Sequence, residues 1–169
     1  MKENRIVHYL LAAITVAASV ILDQWTKHLA VVHLKDQTPY TIIEGVFKLQ
    51  YLENRGAAFG MLQNQRLFFY FSVAVIAVFV IWFYKRVPMT RQFLPLRLCS
   101  IFVLAGGIGN FIDRIKLNYV VDFFYFELID FPIFNVADIY VTVSMFALCL
   151  LIFFYYKEED LDRVFSRRK

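Results

Sequence analysis

Apolar positions dominate four long stretches of the chain, separated by shorter and more polar ones. The first covers about 6–30 and is interrupted by Asp23-Gln24-Trp25-Thr26-Lys27. The others cover about 67–84, 93–112 and 136–156. Each approaches the roughly 20 apolar residues that a bilayer-spanning helix needs, so the pattern predicts four transmembrane helices. Lys2 and Arg5 precede the first stretch and Ala17-Ala18-Ser19 offers small residues, as in a secretory leader. Three further spans follow, and the same helix continues through Asp23 and Lys27, which predicts a retained membrane helix instead.

The connections differ from one another. Phe47-Lys48-Leu49-Gln50-Tyr51 alternates with a period of two, between Pro39 and Gly45 upstream and the second span downstream. That pattern predicts a small β-hairpin or cradle over about 39–53. The stretch from Tyr119 to Phe134 is apolar and aromatic but contains Asp122, Glu127 and Asp130. It reads as an interfacial segment, with Phe123 to Phe134 a candidate flap. The link from Lys85 to Gln92 is short, basic and carries Pro88, as a simple turn would.

Composition sharpens the membrane reading. The 169 residues are 60% hydrophobic and 19% charged, with mean hydropathy +0.56. A soluble domain is about 45–50% apolar and about 25% charged. The fold class expected is an all-α membrane protein with one domain over 1–169. The net charge of +4 comes without a basic stripe interleaved with aromatics, which argues against nucleic-acid binding. Charge placement instead predicts topology. Lys2 and Arg5, then Lys85, Arg86, Arg91 and Arg97, then Lys157, Arg163, Arg167, Arg168 and Lys169 fall on one side. They outnumber the basic residues on the other side, so both termini are expected in the cytoplasm. The connections at about 31–66 and 113–135 then lie outside. Cys99 and Cys149 sit in apolar runs and form no metal or redox motif.

Ionisable groups at membrane depth are costly and by default suggest function. Here the polar and ionisable groups gather at the outer helix ends: Asp23, Lys27, Asn54, Asn110, Asp113, Arg114, Asp122, Asn135 and Asp138. Asp23 and Lys27, four apart, share a helix face and can pair, which suits a structural role. Gly106, Gly107 and Gly109 precede Asn110 and Arg114, where small residues permit close helix packing or close passage of a substrate backbone. Asn135 and Asp138 fit a helix N-cap, and equally fit a site at that helix end. Asp122, between Val121 and Phe123 with only Lys116 as a nearby cation, is harder to explain structurally. If the connection folds back, Asp122 and Asp138 meet and share a proton. One would then act as general base on water while the other donates a hydrogen bond to a carbonyl. Asp138, at a helix N-terminus, would favour the ionised form, and Asp122, among apolar side chains, the protonated one. His8, His28 and His33 make no HExxH, no metal-ligand cluster is visible, and the serines of the apolar runs lie away from Lys27.

Five blocks together resemble the lipoprotein signal peptidase (signal peptidase II) family. They are Asp23-Gln24-x-x-Lys27, Asn54-Arg55-Gly56-Ala57-Ala58-Phe59-Gly60, Gly106-Gly107-x-x-Gly109-Asn110-x-x-Asp113-Arg114, Val121-Asp122-Phe123 and Phe134-Asn135-x-Ala137-Asp138. The resemblance implies an aspartic endopeptidase with Asp122 and Asp138 as catalytic dyad. It gives substrate positioning and dyad support to Asn54, Gly56, Asn110, Arg114 and Asn135, and a holding role to Asp113. From the residues themselves no metal and no cofactor are expected. The substrate would be a diacylglyceryl-modified prolipoprotein, cut just before the lipidated lipobox cysteine. Globomycin-type cyclic peptides would inhibit, membrane lipids would surround a monomer, and the site would face outward from a bacterial inner membrane. The competing reading is a non-enzymatic small transporter or assembly subunit using intramembrane carboxylates. The inner halves of the spans, poor in polar residues, argue against a through-path.

Overall fold

A computed structural model describes residues 5–56 and 65–165. In chain order the elements are α1 (Arg5–Leu34), β1 (Tyr40–Ile43), β2 (Phe47–Asn54), α2 (Arg66–Arg86), α3 (Leu94–Lys116), β3 (Val120–Phe126), α4 (Val136–Leu150) and α5 (Glu158–Phe165). Short 3₁₀ turns at Arg91–Phe93 and Glu127–Ile129 lead into α3 and out of β3, and α4 ends in a π-helical turn at Leu151–Tyr155. Among the described residues four helices are long and apolar enough to cross a membrane. The 30 residues of α1 give about 45 Å, well beyond the roughly 30 Å of bilayer hydrocarbon.

The helices pack with α3 in the middle. It contacts α1, α2 and α4 and carries most of the buried residues, while α2 among its described side chains buries only Val80. Apolar side chains such as Phe71, Val78 and Phe79 point outward, as lipid-facing surfaces require. Two glycines set the closest approaches. A Cβ on Gly106 would lie 2.4 Å from the Ala137 carbonyl oxygen of α4, and one on Gly109 would lie 2.4 Å from Asp23 Oδ2 of α1. Gly107 faces open space and plays no such part.

The expected hairpin forms, with Gly45 at φ +69° in its turn, but the β element is larger than the sequence pattern indicated. β3 joins it as a third antiparallel strand, order β1-β2-β3, pairing Leu52 with Asp122 and Asn54 with Val120. The stretch expected to be one interfacial segment therefore divides. Its first half is sheet. Its second half turns through Glu127–Ile129 and returns to pair Phe134 with Phe124. Val120 to Phe123 are buried on both faces, so they lack the alternation that marks a half-exposed strand. The C-terminal segment, expected only as a basic tail, contains α5. Its Val164 packs with Val87, Phe93, Leu96 and Tyr156, so this short helix latches onto the turn between α2 and α3.

A carboxylate site at the helix ends

Asn135 is the N-cap of α4. Its Oδ1 accepts from the Asp138 backbone N–H at 3.0 Å, and Asp138 Oδ2 accepts from the Asn135 N–H at 3.1 Å, a reciprocal capping box. The cap spends only part of each side chain. Asn135 Nδ2 donates to Asp122 Oδ1 at 2.6 Å and to Asn110 Oδ1 at 3.1 Å. Asn110 Nδ2 in turn donates to Asp138 Oδ1 at 2.7 Å. Cap and site are thus built from the same atoms, and the two sequence readings of Asn135 and Asp138 merge.

Asp122 stands on β3, nearly inaccessible at 1% exposure. Asn54 Nδ2, from the adjoining β2, donates to its Oδ2 at 2.9 Å. Asn54 Oδ1 accepts from the Gly56 N–H at 3.0 Å, and the Gly56 carbonyl accepts from Arg114 Nη2 at 3.0 Å. The Arg114 guanidinium lies 4.2 Å over the Phe69 ring and also reaches the Asn110 carbonyl. Burial first, and then the negative charge of Asp138, push the Asp122 carboxyl up to about 7.

Behind this pair lies a buried ionic hub. Lys27 Nζ sits 2.9 Å from Asp23 Oδ2, 3.0 Å from Asp113 Oδ2 and 2.8 Å from Asn110 Oδ1. Asp23 Oδ1 accepts from the Ala137 N–H at 2.9 Å, so α1 helps cap α4, and Asp113 Oδ2 accepts from the Val121 N–H at 3.2 Å. Gln24, quoted in a motif but given no role, donates to Asp113 Oδ1 at 2.8 Å and to the Gly109 carbonyl at 3.2 Å. The hub bolts α1, α3, β3 and α4 together, and Asn110 links it to Asp138 and Asn135. Phe69, also unforeseen, sits in an apolar run where nothing distinguishes it from a lipid-facing ring. The last four residues of the second motif block, 57–60, lie outside the described residues.

Asn54, Gly56, Asn110, Arg114, Asp122 and Asp138 line a cavity of about 560 Å³ together with the apolar Phe69, Phe126, Ile129, Phe131, Ile139 and Val143. Fold and site together define a helical, multi-pass membrane protein with two carboxylates facing an apolar chamber. The chain belongs to the signal peptidase (SPase) II family, whose model matches residues 15–154, and it is accordingly a peptidase of bacterial membranes. It is similar to the lipoprotein signal peptidase of Streptococcus thermophilus, 45% identical over 148 residues that cover 87% of this chain and 93% of that one. The lipoprotein signal peptidase of Caldanaerobacter subterraneus subsp. tengcongensis is 42% identical over 145 residues, covering 85% and 97%. Two solved bacterial membrane enzymes superpose with TM-scores of 0.76 and 0.74 at 26% and 27% identity, the first covering 94% of this chain and 93% of that one, the second 86% and 94%.

Proposed function

We propose that the chain is an aspartic endopeptidase that removes the signal peptide from diacylglyceryl-modified prolipoproteins, cutting before the lipidated cysteine. The carrying observation is that Asp122 and Asp138 face one cavity, each fixed by asparagine amides, with Asp122 raised to about 7. In the working form Asp122 holds the shared proton and Asp138 is ionised. Asp138 takes a proton from water, whose oxygen attacks the scissile carbonyl. Asp122 donates a hydrogen bond to the carbonyl oxygen, and the proton gained by the dyad passes to the leaving amine. Asn54, Gly56, Asn110, Arg114 and Asn135 position the dyad and the substrate backbone, while Asp23, Lys27 and Asp113 fix the scaffold.

Residues 1–169 act as a single membrane-embedded unit in the inner membrane, working as a monomer with both termini cytoplasmic. The three-stranded sheet and the dyad lie at the outer face, and the flap, expected over Phe123 to Phe134, narrows to residues 127–133 because β3 takes Val120–Phe126 and Phe134 pairs with Phe124. The apolar cavity wall suits a substrate whose acyl chains stay in the outer leaflet, since each exposed CH₂ would cost about 0.8 kcal/mol. Globomycin-type cyclic peptides would occupy the same chamber.

A gel-shift assay on a purified diacylglyceryl prolipoprotein tests this reading. Asp122→Asn and Asp138→Asn should each lower the cleavage rate by about 100-fold or more, with insertion intact. The wild-type rate should fall as pH rises through about 7, where Asp122 loses its proton. Wild-type rates in both variants would refute the dyad.

A further inference from the structure

The charged groups that act on Asp122 are Asp138 of α4, Lys27 of α1 and Arg114 of α3. The two cations are held differently. Lys27 is committed to Asp23 and Asp113, at 2.9 and 3.0 Å. Arg114 forms no ion pair among the described residues. Its guanidinium meets neutral groups there: the Gly56 carbonyl at 3.0 Å, the Asn110 carbonyl at 3.4 Å and the Phe69 ring centroid at 4.2 Å. We propose that Phe69 is a positioning residue whose ring clamps Arg114 in the cavity wall and keeps it from pairing with Asp138.

This role presumes Asp122 and Asp138 as the working dyad, and it brings α2 into the site. Among the described residues Phe69 is the part of α2 that lines the cavity, together with Arg114 and both aspartates. Tyr70, the next residue, donates its hydroxyl to the Arg114 carbonyl at 3.1 Å and sets its ring edge-on to Phe111. Consecutive residues of α2 thus hold the main chain and the side chain of one arginine. A guanidinium 4.2 Å from a ring centroid is well inside the roughly 6 Å reach of cation–π attraction, which grows as water is excluded.

The kind of partner matters here. Arg114 and Asp138 share the cavity, and Asn110 bridges them, its carbonyl accepting from Arg114 and its amide donating to Asp138 Oδ1 at 2.7 Å. A guanidinium freed from the ring has the dyad as its alternative partner, because arginine and carboxylate form a strong two-pronged pair. That pair would favour two ionised carboxylates and expel the shared proton. A ring and two carbonyls hold the guanidinium without neutralising it. The dyad keeps its proton, and the positive charge stays directed at the substrate main chain.

Two measurements on the purified full chain in micelles test the clamp: kcat on a diacylglyceryl prolipoprotein, and the Asp122 titration midpoint by ¹³C-carboxyl NMR without substrate. Phe69→Leu should lower kcat about tenfold and move the Asp122 midpoint down by about one pH unit, since an approaching cation favours the ionised form. Phe69→Trp, which keeps an aromatic face, should hold both near the wild-type values. In an Arg114→Gln background Phe69→Leu should add neither effect, whereas lost packing alone would act in both backgrounds. An Asp122 midpoint unmoved by Phe69→Leu, an equal shift without Arg114, or a Trp variant as impaired as the Leu one would overturn the clamp. A wild type that leaves the lipoprotein uncut refutes the peptidase reading instead, and the substrate-free titration still decides the clamp.

Discussion

Asp122 meets two amide donors at once, from Asn54 and Asn135, in a site almost closed to solvent. A neutral carboxyl keeps both bonds, because its hydroxyl oxygen still accepts while its proton points elsewhere. An asparagine does not, because its NH₂ must face one of the donors. The raised carboxyl also links stability to pH. Between the unfolded value near 3.9 and the folded value of about 7, the folded chain binds the extra proton. Stability from this group is therefore complete below about 4 and is lost as pH rises through 7. In detergent, the apparent Tm of the wild type should drop by about 5 °C more between pH 5 and pH 8 than that of Asp122→Asn; parallel curves would contradict the linkage. Lys27→Met leaves Asp23 and Asp113 buried without their cation and should destabilise by about 3–5 kcal/mol, seen as loss of folded yield on size exclusion. At this scale the sequence was informative about the charged residues and the three asparagines and silent about Gln24 and Phe69. Asp122 and Asp138 stood out because ionised groups are expensive among apolar neighbours. Gln24 and Phe69 did not, because an amide beside an aspartate and an aromatic in a membrane span are both unremarked on composition.

The elements show the same division. The four helices were legible from hydropathy, although α1 and α3 run on to Leu34 and Lys116. Their ends are polar, satisfied by the site and not by lipid, so apolar runs underestimate them. β3 was not legible, because burial on both faces removed its period, and α5 was too short and too charged to register. The three glycines looked alike in sequence and separate in space. Gly106→Ala and Gly109→Ala drive a Cβ into the Ala137 carbonyl and Asp23 respectively, and each should cost about 1–3 kcal/mol. Gly107→Ala meets nothing within 4 Å and should stabilise by about 0.5–1 kcal/mol through helix propensity. Apparent Tm values of the three variants check the contrast; a uniform effect would mean that helix spacing is not what these glycines set.

Across the whole molecule, the hub ties three helix ends to the sheet while the opposite end is closed by α5 over Val87, Phe93 and Leu96. The chain is therefore polarised, with the carboxylate cluster at one end and a basic, latched turn at the other. That polarity predicts topology. In a background lacking Cys99 and Cys149, Glu44→Cys in the hairpin turn should react with an impermeant maleimide added to intact cells. Glu159→Cys in α5 should react only after permeabilisation. The central claim is that one proton is held between Asp122 and Asp138, and a ¹³C-carboxyl NMR titration of the purified protein in micelles measures it most directly. With the Asp122 resonance assigned by its loss in Asp122→Asn, the account predicts a midpoint near 7 that moves down in Asp138→Asn, while burial holds it above the ordinary carboxylate range. An Asp122 that titrates near 4, or one indifferent to the removal of Asp138, would contradict it.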